Sequence, residues 1–197
     1  MNKETHKVLK RLERMAEKES LPFIGPVKGR IVADVIQNYK PRRILEIGTL
    51  YGYSAILMGS MLPEEQEQNH GKVTSIEIDK KFANIARKNI EDAALDKKVE
   101  VLCGDALDII PKLNEKFGMV FLDGTKEEYF NYLKLVEKNL EKGAVVVADN
   151  VGIFKTSMPD YLEYVRNSGR YNSKVFETEL EFNSNTKDAI EISIKIV

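Results

Sequence analysis

Residues 44–58, ILEIGTLYGYSAILM, change period at their centre. Ile44, Leu45 and Ile47 form the short continuous apolar run of a strand covered on both faces. Gly48 interrupts it, and after Gly52 the apolar residues return at helical spacing, from Ala55 to Leu62. Strand, glycine turn and helix in immediate succession are the opening unit of an α/β fold.

The unit repeats downstream. KVTSIEI (72–78), VEVLCG (99–104), GMVFLDG (118–124) and GAVVVADN (143–150) are further strand-like runs. Helical spacing follows over Phe82 to Ile90, over a short Ile109 to Leu113, and over Tyr129 to Leu140. Such a beat predicts a doubly wound, Rossmann-like α/β fold with a mostly parallel sheet. RYNSKVFETEL (170–180) and AIEISIKIV (189–197) then follow with no helical pattern between them. They predict a C-terminal antiparallel hairpin finishing the sheet, with LEFNSNTKD (180–188) as its connection.

Upstream, Val8, Leu9, Leu12, Met15 and Ala16 stripe a helix over 3–18. LPFIGPVKG (21–29), with two prolines and two glycines, breaks it, and Ile31, Val32, Val35 and Ile36 restart a helix that Pro41 closes. A single domain over 1–197 is expected. Residues 1–20 either cap the functional site or meet a second subunit, so monomer and homodimer both stand.

The bulk numbers narrow the function classes. Thirty basic side chains against 31 acidic ones give a net charge of -1, with no basic excess for nucleic acid. Cys103 is the only cysteine, which excludes an internal disulfide and any multi-thiolate zinc site. No apolar run approaches the ~20 residues of a membrane span, and MNKETHKVLKRLERMAEKES is too charged for a signal peptide. A cytoplasmic, reduced, soluble protein without membrane contact is expected.

In an open α/β sheet a ligand sits beyond the carboxyl ends of the strands, so the Gly48–Gly52 turn is the place to look. Its G-T-L-Y-G spacing is not the G-x-G-x-x-G of dinucleotide folds, and no Lys-Ser/Thr pair makes a phosphate loop. A ligand without phosphates fits better. Glu77, closing the second strand, can accept both hydroxyls of a ribose. Gly104, Asp105 and Ala106 close the third, where an adenine edge would lie. Together these point to S-adenosylmethionine.

The fourth and fifth strands end FLDGTK and VVVADN. Neighbouring strands lie ~4.8 Å apart, so Asp123 and Asp149 can face one another across a cation. Asn150 joins them only if the chain leaves the sheet at Asp149. Two carboxylates and an amide oxygen favour Mg²⁺ or Ca²⁺ over zinc, and neither His6 nor His70 sits on a strand end. Lys126, three residues beyond Asp123, is the candidate base.

With those residues assembled, the sequence resembles the metal-dependent O-methyltransferases of the catechol O-methyltransferase family, from about GPVKG at residue 25 to the last strand. ILEIGTLYGYSA, SIEID, GDALDIIP, FLDGTK and ADNV carry the likeness. It implies a seven-stranded class I methyltransferase fold and a methyl donor, S-adenosylmethionine, over the first turn. The implied metal is Mg²⁺, with Ca²⁺ or Mn²⁺ as substitutes.

Asp123, Asp149 and Asn150 match the metal ligands and Lys126 the general base. Glu77, with Ile78 beside it, matches the ribose acid; Glu46, Gly48 and Ser54 match the positions around the methionine part. Gly104 to Leu107 match the adenine loop, Ile24 and Lys28 fall in the segment covering the donor, and Asp123 borders donor and metal alike. The acceptor side departs from the animal catechol enzymes. Thr125 replaces their tryptophan, Phe154 their gatekeeper proline, and Phe182, with Glu181 adjacent, the acid gripping the second hydroxyl.

Methylation of a small hydroxylated acceptor with adjacent oxygens is therefore the implied reaction. A hydroxyuridine of tRNA, with Arg42, Arg43 and the lysines of the first helix meeting the RNA, is the alternative. A non-catalytic nucleotide-binding module is the third reading, against which the intact Asp123, Lys126, Asp149 and Asn150 speak.

Overall fold

The computed structural model describes residues 1–63, 71–182 and 186–197; His70 and the centre of the LEFNSNTKD connection (183–185) lie outside the described residues. Helices α1 (Lys3–Glu19) and α2 (Gly25–Tyr39) precede β1 (Arg43–Ile47) and α3 (Tyr53–Met61). Then come β2 (Lys72–Glu77), α4 (Lys80–Asp92), β3 (Val99–Cys103), α5 (Ala106–Ile109), β4 (Phe117–Leu122) and α6 (Tyr129–Val136). The chain closes with β5 (Leu140–Ala148), α7 (Pro159–Asn167), β6 (Tyr171–Glu179) and β7 (Lys187–Lys195).

The strands form one seven-stranded sheet in the order β3-β2-β1-β4-β5-β7-β6. Strands β1 to β5 run parallel, and β7 is antiparallel to both β5 and β6. The expected mixed sheet with its terminal hairpin is therefore the observed one.

The apolar runs explain the layering. Successive strand residues point to opposite faces. Ile44, Phe121, Val145 and Val147 join a core with α1 to α4, while Leu45, Leu122, Val146 and Ala148 join a second core with α5 to α7. Both faces must be apolar because both are covered, with roughly 1.5–3 kcal/mol per fully buried aliphatic side chain.

Three local readings are corrected. LPFIGPVKG does not merely break a helix: α2 begins inside it at Gly25, with Pro26 in the first turn, where a missing N–H costs nothing. The helix expected to reach Leu140 stops at Val136, and Leu140 opens β5 opposite Phe117. The intervening turn is pinned by buried Asn139, whose Nδ2 donates to the carbonyls of Leu113 (3.0 Å) and Glu115 (2.8 Å). Helix α7 was not anticipated; it buries Tyr161, Leu162 and Val165.

The apolar stripe of α1 is covered by the chain's own α3 and α4. Val8, Leu9, Leu12 and Ala16 lie in the same core as Ala83, Ala86 and Ile90, and Thr5 Oγ1 donates to the Ala93 carbonyl at 2.9 Å. So anchored, α1 fixes the segment that follows it. Phe23 stacks on Tyr53 (5.9 Å between centroids) and meets Tyr51 edge-on (5.6 Å).

Candidate active site

Strand order reverses between β1 and β4, the switch point at which open α/β sheets take ligands. A cavity of about 690 Å³ opens there, beyond the carboxyl ends of the parallel strands. On its donor side lie Ile24, Gly48, Ser54, Glu77 and Ile78, with Gly104, Asp105 and Ala106 beyond them. On its other side lie Asp123, Lys126, Asp149 and Asn150. Thr125, Phe154, Glu181 and Phe182 border it too.

Gly48 is required by the protein itself. Its φ is +97°, and a Cβ there would stand 2.4 Å from the carbonyl oxygen of Asp123. The space that a side chain would need is filled by the tip of β4. That contact brings the β1 turn and Asp123 together.

Glu77 is fixed before any ligand arrives. Its Oε2 accepts from the backbone N–H groups of Leu50 (2.7 Å) and Thr49 (3.2 Å), and its Oε1 from that of Asp79 (2.9 Å). A carboxylate has about four acceptor directions, so one remains on Oε1. The expectation that Glu77 takes both ribose hydroxyls becomes one direct bond unless Thr49 yields. Asp105 is also partly engaged, capping α5 by accepting from Leu107 N at 2.8 Å. Ile78 is 70% exposed, an apolar surface at the cavity mouth.

Glu46 is completely buried and meets the cavity wall through Ser54. Ser75 Oγ donates to its Oε2, and Ser75 in turn meets Thr49 Oγ1 at 2.5 Å. Burial, only partly opposed by Ser54 and Ser75, pushes its carboxyl up to about 8.

On the acid side, Leu122 pairs with Ala148, so Asp123 and Asp149 are the next residues out on adjacent strands. The chain leaves the sheet there, and Asn150 takes the left-handed conformation (φ +60°) that asparagine tolerates. The condition for Asn150 to stand with the two acids is met. Asp149 is 3% exposed; burial, then the nearby Asp123 charge, push its carboxyl up to about 6. Among the described residues no group of three or more carboxylate, imidazole or thiolate side chains is placed to hold a metal. The set consists of two carboxylates and an amide, and a like-charged acid pair with one member buried is an environment that a hard divalent ion neutralises.

Lys126 Nζ donates to Asp123 Oδ1 (2.8 Å) and to the hydroxyl of Tyr129 (2.9 Å), which itself lies 2.9 Å from the Leu122 carbonyl. Tyr129, one turn beyond Lys126, is a further residue of the site, and its i+3 spacing from Lys126 is the sequence signal for it. Lys28 was placed over the donor, but its ammonium lies among the acids, 2.6 Å from Asp149 Oδ1 and 2.5 Å from Asp188 Oδ2. Burial pulls its pKa down, yet Asp149 and Asp188 outweigh burial and raise it. Glu181 is engaged as well. Its Oε1 accepts from the backbone N–H groups of Val27 and Lys28 at the start of α2. Arg42 and Arg43 stand at the opening end of β1, on the amino-terminal side of the parallel strands and away from the cavity at their carboxyl ends.

Comparison with known proteins gives a consistent answer. A family model described as O-methyltransferase matches residues 1–188. Catechol O-methyltransferase B of Danio rerio is 37% identical over 178 residues, 87% of this chain and 64% of that protein. Catechol O-methyltransferase of Sus scrofa is 35% identical over 184 residues, 90% of this chain and 95% of that protein. The chain thus spans just under two thirds of the zebrafish relative and nearly all of the pig one. Among solved structures, an O-methyltransferase from Bacillus cereus in complex with SAH has a TM-score of 0.83 at 27% identity, covering 96% of this chain and 90% of that one. TomG from Streptomyces achromogenes, an O-methyltransferase involved in tomaymycin synthesis and solved with SAM, has a TM-score of 0.83 at 25% identity over the same shares.

Proposed function

The chain belongs to the O-methyltransferase family, and from that premise we propose that it transfers the methyl group of S-adenosylmethionine to a hydroxyl of a small acceptor with adjacent oxygens, with Mg²⁺ as the metal. One observation carries the reading: a single cavity joins the fixed Glu77 and the Gly104–Ala106 turn to Asp123, Lys126, Asp149 and Asn150. The SAH and SAM of the related structures support the donor, and the similarity to catechol O-methyltransferases supports the acceptor class.

The residues divide the work. Glu77 and the Gly104–Ala106 turn hold the nucleoside. Asp123, Asp149 and Asn150 are the oxygen donors that would hold the cation. When bound, Mg²⁺ would polarise the acceptor oxygens and S-adenosylmethionine would supply the methyl group. Lys126, kept in the cavity wall by Asp123 and Tyr129, receives the acceptor's proton. Most of the acceleration comes from holding both reactants in register. Thr125, Phe154 and Phe182 shape the acceptor space, with no tryptophan among them. Glu181 caps α2 through its Oε1 alone, which ties the carboxylate to the start of that helix.

The test incubates the protein with labelled donor, Mg²⁺ and a panel of catechols, hydroxycinnamoyl thioesters and tRNA. Label on a small dihydroxy acceptor, abolished by EDTA, is the expected outcome. Label on tRNA alone replaces the acceptor. Asp149→Ala is expected to abolish transfer while leaving S-adenosylhomocysteine affinity intact; equal loss of both overturns the assignment of Asp149.

A further inference from the structure

Asp188, the second residue of β7, has a side chain with no exposure to solvent. It nevertheless makes a full set of polar contacts. Its Oδ2 accepts from Lys28 Nζ (2.5 Å) and Asn150 Nδ2 (2.8 Å), and its Oδ1 accepts from the backbone N–H of Ile153 (3.0 Å). All three partners are nitrogen donors, one of them the Lys28 ammonium, so this carboxylate is the acceptor in every contact. A side-chain amide meets an accepting oxygen with its NH₂ and not with its carbonyl. Asn150 must therefore turn its NH₂ toward Asp188, and its Oδ1 points away from Asp188 as the amide's remaining donor atom.

Lys28 couples this hub to the other strand tip, because the same ammonium contacts Asp149. Asp123, Asp149 and Asp188 set against Lys28 and Lys126 leave the cluster one charge negative.

We infer that Asp188 and Lys28 are positioning residues for the divalent cation: Asp188 fixes the amide orientation of Asn150, and Lys28 limits the negative charge that Asp149 presents. The inference rests on reading Asp123, Asp149 and Asn150 as the cation site. Asp188 touches neither donor nor acceptor in this arrangement and acts through Asn150. Lys28 acts through Asp149, and it trades affinity for a site that stays folded when no cation is bound.

Equilibrium binding of Mn²⁺, read by the spectroscopic signal of the free ion, tests both halves. Asp188→Ala leaves Lys28 paired with Asp149, so no buried charge is stranded. It is expected to weaken Mn²⁺ binding by about 10–100-fold while S-adenosylhomocysteine affinity is unchanged. Asp188→Leu, which fills the space with an apolar side chain, decides should the alanine variant fail to fold. Wild-type Mn²⁺ affinity in the folded variant overturns the role of Asp188. Lys28→Met removes a positive charge beside Asp149 and is expected to tighten Mn²⁺ binding; unchanged affinity overturns the role of Lys28. A wild-type protein that binds S-adenosylhomocysteine but no Mn²⁺ defeats the cation site itself, a different outcome from failure in the variants.

Discussion

Gly48 shows how one residue can join two functions. Its positive φ and its contact with the Asp123 carbonyl both exclude a Cβ. Gly48→Ala is expected to cost roughly 2–4 kcal/mol, read as a lowered urea midpoint, because strain and clash act on the same atom. Glu46 supplies a pH dependence. Its folded value of about 8 lies above its ordinary 4.5, so the folded state holds the proton more tightly. Its stabilising contribution is fully present below about pH 4.5 and is lost as pH rises through 8, a change on the order of a few kcal/mol. Thermal unfolding at pH 5 and pH 9 should show the wild type losing more stability than Glu46→Gln; parallel losses refute the assignment. At this scale the sequence was readable where chemistry sits on a strand tip: Asp123, Lys126, Asp149 and Asn150 all line the cavity. Lys28 and Asp188 were not readable together, because a contact across 160 positions leaves no local pattern.

The element that most needs outside help is α2. Its N-cap, Ile24, has no side-chain acceptor, and no acid lies in its first turn. Glu181, from the hairpin connection, supplies the missing acceptor for Val27 and Lys28. Glu181→Ala is expected to cost about 1 kcal/mol in urea unfolding, the usual worth of a cap. An unchanged midpoint would show that water replaces it. Strands were legible as elements because burial on both faces leaves continuous apolar runs. Helix α7 was not, since PDYLEYVRN offers only Tyr161, Leu162 and Val165 for burial, without a capping side chain before them. The end of α6 was misread because Leu140 continues the helical spacing, while the turn that ends the helix is fixed by Asn139 reaching back to Leu113 and Glu115.

At the scale of the molecule, the sheet order places the β1 and β4 ends side by side, and no periodicity encodes that order. The alternation of strand and helix gave the class, and the order then located the cavity. Its walls come from elements as distant as α2 and the β6–β7 connection, so a ligand filling it ties the two ends of the chain together. S-adenosylhomocysteine at a hundred times its Kd is expected to add about 2.7 kcal/mol, raising Tm by roughly 5–11 °C in a protein of this size. A Tm insensitive to the ligand at that concentration would place its site elsewhere.

The carboxylate of Glu77, already held by the main chain of two loops, has a kinetic consequence. In the proposed role of Glu77, nothing in that cradle senses whether the sulfur still carries its methyl, so Glu77 would grip spent nucleoside as firmly as fresh. The demethylated by-product should then compete with the donor as it accumulates, and an enzyme that clears it should relieve that inhibition.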